Sequence, residues 1–155
     1  PLVEFALSVE RMRAAKRAVD ESRSGVVLTG RSEGFIVGRP DLRETIRRLT
    51  AFSEAGSDCL YPPGIRHVAD MATVVRELAP KPVNALVYSD FTTVAELADI
   101  GVRRISVGGA LARTAYTSFV QAAQEIASAG TFAGLANTGP RLDFDGEFGS
   151  RAPDT

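Results

Sequence analysis

Short apolar segments alternate with helical segments along the chain, and this alternation constrains the fold more than any other feature. The apolar segments predict buried strands that begin roughly 20 to 30 residues apart, the spacing of βα units. The four predicted strands are Gly25–Thr29, Asp58–Tyr61, Pro82–Val87 and Arg104–Val107. The five predicted helices are Glu4–Ser22, Asp41–Ala55, His67–Leu78, Thr92–Ile100 and Ala110–Ala129. Strands joined by helical crossovers pair in parallel, so the sequence predicts an α/β fold made of parallel βα units.

The predicted helices carry end signals and apolar faces. Asp41 can cap the second helix and Gly56 ends it. Its apolar positions recur at the spacing of one buried stripe: Leu42, Ile46, Leu49 and Phe52. The first helix has a similar apolar face: Leu7, Met12, Ala15, Ala18 and Val19. Both patterns predict helices that pack one side against the sheet.

Two architectures satisfy this pattern. Four βα units are half of a (β/α)8 barrel, a fold that usually needs about 250 residues, whereas this chain has 155. A small open α/β sheet is the other architecture, and the pattern alone does not choose between them. Residues 1–136 are predicted to form one domain with a leading helix. Residues 137–155, which contain Gly, Pro and scattered acidic residues, are predicted to be loop or disordered.

Charge and composition exclude several classes of function. The formal net charge of −1 argues against a nucleic-acid-binding surface and against a polybasic membrane patch. No apolar run approaches the roughly 20 residues of a membrane span, and no signal peptide is visible. The lone Cys59 cannot form an intramolecular disulfide, so we expect a reducing, cytoplasmic environment. The chain begins with Pro1 rather than Met, which suggests a cut, processed or partial chain.

Candidate functional residues follow the predicted strands, because ligands of parallel α/β folds bind at the carboxyl ends of strands. Arg31 and Glu33 follow the first strand. Both can project into a pocket mouth, where a guanidinium suits a carboxylate or phosphonate substrate. Glu33 could orient Arg31 or hold a metal-bound water. The alternative is a surface ion pair without a functional role.

Polar or flexible residues also accompany the later strands. Asn84 lies within an apolar strand, so its amide either points into a polar barrel mouth or is satisfied by backbone. Gly108 and Gly109 precede the last helix and could seat an anion, or could simply form a tight turn. The segment from Tyr61 to Gly64 is interpreted as a rigid turn that shapes a wall. His67 lacks a Cys, Asp or Glu partner at metal-ligand spacing, and Cys59, within a strand, is interpreted as a core residue rather than a nucleophile. No P-loop, GxGxxG, HExxH or CxxC motif is present.

Four segments, taken in order, carry a resemblance to a known family. They are VERMRAA (Val9–Ala15), LTGRSEGF (Leu28–Phe35), EAGSDCL (Glu54–Leu60) and GVRRISVGGALAR (Gly101–Arg113). They are similar to the ERIRAA, NARTDAF or ARVEAF, EAGADCIF and GVRRVSVGPALAR segments of the isocitrate lyase/phosphoenolpyruvate mutase superfamily. The last is the most specific, and the match covers roughly residues 3–136. On these residues the chain resembles the second, C-terminal half of that family's α/β barrel, and is carboxyphosphonoenolpyruvate phosphonomutase-like.

The resemblance implies a chemistry and a set of site residues. Family members make or break C–C or P–C bonds of small α-keto or phosphonate acids through an enolpyruvate-like intermediate held by Mg²⁺. Arg31 matches the arginine that grips the substrate, Glu33 the acidic residue that supports it, and Asn84 a polar pocket residue. The family's Mg²⁺ ligands and its lysine–cysteine loop lie on earlier strands, and nothing in this sequence matches them. Gly30 and Gly34 stand where alanines are more usual.

Three hypotheses about function follow. The first is that the chain is part of a Mg²⁺-dependent lyase or mutase and needs a complementing N-terminal half. The second is a catalytically inactive half-barrel that serves as an oligomeric or anion-binding module. The third sets the resemblance aside and makes the chain a small α/β domain that binds a phosphorylated ligand at Gly108–Gly109. The resemblance also implies that the last helix, Ala110–Ala129, swaps between subunits of a homo-oligomer.

Overall fold

The computed structural model describes residues 2–136 and residue 146. The chain divides into two compact units, residues 1–110 and residues 111–155. The predicted tail, residues 137–155, lies outside the described residues except for Gly146.

The order of elements is the predicted one. A leading helix is followed by four strand–helix units. The helices are α1 (Phe5–Ser22), α2 (Leu42–Glu54), α3 (Val68–Leu78), α4 (Val94–Asp99) and α5 (Ala110–Ala129). The strands are β1 (Thr29–Arg31), β2 (Cys59–Tyr61), β3 (Asn84–Leu86) and β4 (Arg104–Ser106). In the part of the chain described here, no helix is long and apolar enough to cross a membrane.

All strand pairs are parallel, which confirms the predicted α/β class. β1 pairs with β2, with Arg31 opposite Tyr61, and β3 pairs with β4, with Asn84 opposite Arg104. One parallel bridge between Leu60 and Val83 links the two pairs. The carboxyl ends of the four strands therefore share one edge, as helical crossovers require.

The first strand lies further along the chain than predicted. The expected strand Gly25–Thr29 is wrong, because β1 covers Thr29–Arg31. Val26 and Val27 are 58% and 62% exposed. The carbonyl oxygen of Leu28 accepts hydrogen bonds from the backbone N–H groups of Asp58 and Cys59, at 2.8 and 3.2 Å. Pairing with the second strand therefore begins only after the valines, at Leu28.

The core of the first unit lies between the helices and one face of the strands. Successive strand residues point to opposite faces, and Leu60 and Ala85 are buried. A Cβ added at Gly30 would lie 2.9 Å from the Cβ of Phe52 and 2.6 Å from the Oγ of Ser57. This position therefore has no room for a side chain, and the glycine lets α2 approach β1. The largest fully buried apolar side chains are Leu49, Leu60, Val74 and Val83.

The faces of the first two helices differ in how well the pattern predicts them. In α2 the predicted stripe is confirmed, with Leu49 and Phe52 buried. In α1 the buried residue is Val9, which is 7% exposed, whereas Leu7 is 49% exposed. The two positions lie about 200° apart on a helix, so the predicted apolar face included a residue on the wrong side.

The second unit contains α5 and a 3₁₀ turn, Ala133–Leu135. No residue of α5 is buried, although Leu111, Tyr116 and Phe119 are large and apolar. The Glu125 carboxylate accepts hydrogen bonds from the N–H groups of Ala133 and Gly134, at 2.8 and 2.7 Å. This carboxylate orders the turn that follows the helix.

Candidate active site at the carboxyl end of the strands

Arg31 is the last residue of β1 and is held on two sides. Its Nη2 donates to Glu33 Oε2 at 3.3 Å, and its Nε pairs with Glu33 Oε1. Its guanidinium carbon lies 5.0 Å from the centre of the Tyr61 ring on the neighbouring strand. The structure therefore brings together the two residues that the sequence singled out.

The geometry of the Arg31–Glu33 pair leaves one edge of the Arg31 guanidinium available to bind an anion. Glu33 occupies the edge formed by Nε and Nη2. A guanidinium has five N–H donors, so the edge formed by Nη1 and Nη2 can still bind an anion. The Arg31 side chain is 46% exposed. The surface ion pair that the sequence left as an alternative is thus present, and it fixes the orientation of a cation that retains free donors.

Backbone contacts fix the loop that carries the pair. The N–H of Ser32 donates to the carbonyl oxygen of Tyr61 at 3.0 Å, and the N–H of Val37 donates to that of Glu33 at 3.1 Å. Ser32 is buried. Arg31 and Glu33 therefore project from an ordered segment tied to β2.

A cavity of about 280 Å³ lies beside Arg31. Its walls include Thr29 and Arg31 of β1, Met12 and Arg11 of α1, and Phe52 of α2. The cavity is mostly apolar apart from the two guanidinium groups. The size of the pocket and its guanidinium groups suit a small anion.

Asn84 is 1% exposed, and its amide is only half satisfied. Nδ2 donates to Ser106 Oγ at 2.9 Å, while Oδ1 has no hydrogen-bond partner. The partner is thus a side-chain hydroxyl on β4 rather than backbone. A buried carbonyl oxygen without a donor costs free energy, so this atom is a ready acceptor for an added donor.

Gly108 and Gly109 form the turn between β4 and α5. Gly108 has φ +54°, in the left-handed region that favours glycine. The N–H of Ala110 donates to the carbonyl oxygen of Val107 at 3.0 Å, closing the turn. Within residues 2–136 no hydrogen bond or ion pair joins this turn to Arg31, Glu33 or Asn84.

Two contacts on this face were not predicted from the sequence. Tyr61 was interpreted as part of a wall, yet its ring supports the Arg31 guanidinium. Arg104 of β4 donates to Thr29 Oγ1 of β1 at 3.2 Å. The signal for Tyr61 is its position opposite Arg31 in the parallel register. No comparable signal exists for Arg104, because its partner lies three strands earlier in the chain.

The described residues do not fit a Mg²⁺ site. Among them, no group of three or more His, Cys, Asp or Glu side chains lies close enough to hold a metal ion. Glu33 is engaged with Arg31, and Cys59 is buried and is not an oxygen ligand of the kind that Mg²⁺ prefers. No chemical step through a metal ion is therefore derived from this part of the chain.

Comparison with known proteins decides the family. The family model described as phosphoenolpyruvate phosphomutase matches residues 1–127 of the chain. The chain belongs to the phosphoenolpyruvate phosphomutase family. The resemblance inferred from the four sequence segments is thereby confirmed, and with it membership of the wider PEP mutase/isocitrate lyase superfamily.

Solved structures of similar proteins support the same assignment. One is a protein from Burkholderia cenocepacia J2315 whose assignment as a lyase/mutase is provisional. It is 40% identical with a TM-score of 0.87 over 99% of this chain and 55% of its own. Another protein from that organism, provisionally a phosphonomutase, is 28% identical with a TM-score of 0.73 over 80% of this chain and 52% of its own.

A third structure is oxaloacetate acetylhydrolase in complex with its product oxalate. It is 26% identical with a TM-score of 0.76 over 85% of this chain and 46% of its own. The chain described here thus spans about half the length of each of these solved structures. None of the curated proteins matches this chain.

Proposed function

We propose that this chain supplies the substrate-binding part of a lyase or mutase. The enzyme would act on a C–C or P–C bond of a small α-keto or phosphonate acid through an enolpyruvate-like intermediate. The observation that carries the proposal is the oriented Arg31–Glu33 pair at the carboxyl end of β1, in a chain of the phosphoenolpyruvate phosphomutase family. A related structure holds oxalate, a small dicarboxylate that resembles an enolate of an α-keto acid.

Arg31 and Glu33 have different roles in this proposal. The free edge of the Arg31 guanidinium binds the carboxylate or phosphonate of the substrate with two parallel hydrogen bonds. The same positive charge stabilises negative charge that develops on the substrate during the reaction. Glu33 and Tyr61 are positioning residues, because they hold the guanidinium in one plane.

Asn84 and the Gly108–Gly109 turn are assigned to substrate binding. The unpaired Oδ1 of Asn84 can accept a hydrogen bond from a substrate hydroxyl, from water or from an enol. The backbone of the glycine turn can approach an anionic group closely because it carries no side chains.

Mg²⁺ is proposed as the cofactor of the complete enzyme. A divalent cation would stabilise the charge of an enolate intermediate. Since residues 2–136 contain no cluster of metal ligands, the ligands would come from outside this range. We further propose that the four βα units form half of a barrel that a second half completes, in the same polypeptide or in a partner.

Oxalate binding tests the site assignment. The assembled enzyme, titrated with oxalate by calorimetry, should bind it more tightly than it binds a phosphate ester such as glycerol phosphate. Arg31→Ala should weaken oxalate binding roughly 10- to 100-fold, the loss of a charge-assisted bidentate contact. Equal binding by the wild type and Arg31→Ala would refute the assignment.

Arg47→Ala is the matched control. Arg47 also pairs with a glutamate, Glu44, and also lies over an aromatic ring, that of Phe5, at 3.7 Å. It belongs to α2 rather than to the carboxyl edge of the strands. Its replacement should leave oxalate binding unchanged.

A second candidate function is a catalytically inactive module for oligomerisation or anion binding. The observation that favours it is the lack of a metal-ligand cluster among residues 2–136. Metal binding separates the two functions. Oxalate binding that tightens with added Mg²⁺ supports the enzyme, whereas oxalate binding that is indifferent to Mg²⁺ supports the module.

A further inference from the structure

Arg66, in the loop between β2 and α3, is an exposed arginine held by the next loop along the sheet edge. Its guanidinium carbon lies 5.6 Å from the ring centre of Tyr88 and 5.5 Å from that of Phe91. Its Nη2 donates to Ser89 Oγ at 3.3 Å. The two rings themselves make an edge-to-face contact, with centres 6.2 Å apart. Three residues of the β3–α4 loop therefore hold Arg66 in place.

The charge of Arg66 is not neutralised by a neighbouring carboxylate. None of the ion pairs among the described residues includes Arg66. The cation–π contacts with the two rings restrain the guanidinium without using its N–H donors, and Ser89 accepts from only one of these donors. A cation that is already ordered loses little conformational entropy when it binds an anion.

Arg66 also borders a cavity of about 450 Å³, a volume typical of small-molecule sites. The cavity lies between the loops that follow β1 and β2. Its lining includes Arg66 and His67 together with the apolar side chains of Phe35 and Leu42. Asp70 is the single carboxylate in the lining. Arg31 does not line this cavity.

The residues that line this cavity determine which chemical groups a ligand needs in order to bind there. Arg66 supplies parallel donors for a carboxylate, and the His67 ring can add one more. The apolar wall suits a short hydrocarbon chain and not a second charge. Asp70 disfavours ligands with two or more negative charges, because like charges repel at short range.

We propose that this cavity is a second anion-binding site, separate from the Arg31 site, that takes a small monocarboxylate with a short aliphatic chain. Arg66 binds the carboxylate, and Phe35 and Leu42 contact the chain. The site does not depend on the function proposed for Arg31. Its position on the carboxyl edge of β2 places it on the same side of the sheet as that site.

Butyrate is the probe, and its neutral isostere butyramide is the ligand control. In an NMR titration of the ¹⁵N-labelled protein, butyrate should shift the Nε–Hε signal of Arg66 and the backbone N–H signal of His67 saturably. Butyramide should bind roughly tenfold more weakly or not at all, because it lacks the charge. Equal binding of the two ligands, or no saturable shift with butyrate, would overturn the proposal, and the wild-type protein alone is enough for this test.

Variants then test Arg66 directly. Arg66→Gln should weaken butyrate binding roughly tenfold. Arg76→Gln, which alters an exposed arginine in the last turn of α3 that pairs with Glu77, should not change it. Arg31→Gln should also leave it unchanged, which separates this site from the oxalate site. If Arg66 only joins the two loops, Arg66→Gln will move the Tyr88 and Phe91 signals while butyrate affinity stays constant, and the proposal fails.

Discussion

At the scale of single residues, we expect substitutions in the buried apolar core to cost the most stability. Leu60 is fully buried, at 0% exposure, on the helix side of β2. Leu60→Ala should destabilise the protein by about 2–5 kcal/mol, because it removes buried methyl groups and leaves a cavity. The matched control is Leu7→Ala, at a 49% exposed position of α1. Urea unfolding of both variants is the measurement, and equal losses would show that the core lies elsewhere.

The ion pair at the candidate site should matter more for binding than for stability. Exposed pairs contribute about 0.2–1 kcal/mol to folding, and both side chains of Arg31–Glu33 are more than one-third exposed. Glu33→Gln should therefore change the free energy of unfolding by less than about 1 kcal/mol. It should weaken oxalate binding, though less than Arg31→Ala does, since the cation remains but loses its orientation. Unchanged oxalate affinity in Glu33→Gln would show that Glu33 does not position Arg31.

Single residues also show what the sequence could and could not predict about the site. The proximity of Arg31 and Glu33 was predictable because they lie two positions apart at the carboxyl end of one strand. The contact between Arg104 and Thr29 was not, because it joins the first strand to the fourth. The half-satisfied amide of Asn84 depends on where Ser106 lies in the register. Such contacts between distant segments have no local signal in the sequence.

At the scale of elements, α2 carries a charge cluster that couples stability to pH. The Arg47 guanidinium, with that of Arg48 beside it, holds the pKa of Glu44 below its usual value. A carboxylate with a lowered pKa in the folded state stabilises the fold above its unfolded pKa, and this stabilisation is lost as the pH falls through the folded value. Arg48 also donates to the carbonyl oxygen of Val3 at 3.0 Å, linking α2 to the segment before α1.

Glu44→Gln tests this coupling. The variant should be less stable than the wild type at neutral pH, and the difference should shrink as the pH falls from about 5 towards 3. Chemical unfolding at several pH values gives the comparison, with Glu54→Gln as the control at the end of the same helix. A stability difference that is independent of pH would contradict the coupling.

The start of α4 depends on a capping box. Thr93 Oγ1 accepts from the N–H of Glu96 at 3.2 Å, and the Glu96 carboxylate accepts from the N–H of Thr93 at 2.8 Å. Thr93→Ala should cost about 1 kcal/mol, whereas Thr73→Ala, within α3, should cost less because it removes no cap. Thermal unfolding measures both, and equal effects would show that the box does not stabilise α4.

Element order was predictable, and element ends were less so. Apolar periodicity and glycine or proline stops predicted the five α-helices of residues 2–136 and their order, because these signals are local. The first strand was misplaced because Val26 and Val27 have the composition of a buried strand, while their exposure depends on where β2 pairs. Register is a property of two segments together, so one segment cannot specify it.

At the scale of the whole molecule, α5 exposes the large apolar side chains of Leu111, Tyr116 and Phe119. A helix with none of its residues buried contributes little to stability unless another surface covers it. We therefore expect the purified protein to form oligomers that α5 holds together. Sedimentation velocity should show a species larger than 16.5 kDa, and the double change Tyr116→Ser and Phe119→Ser should reduce it to monomer. A wild-type monomer across the concentration range would contradict this expectation.

In the proposed function, Arg31 binds the substrate of a lyase or mutase of this family. The most direct measurement is kcat/KM for Arg31→Ala in the assembled enzyme, with oxaloacetate and phosphonopyruvate as test substrates and circular dichroism to verify the fold. We expect the wild type to be active on one of these acids, and kcat/KM to fall roughly 10²- to 10³-fold or more in the folded variant. A folded Arg31→Ala enzyme with near-normal kcat/KM would contradict it.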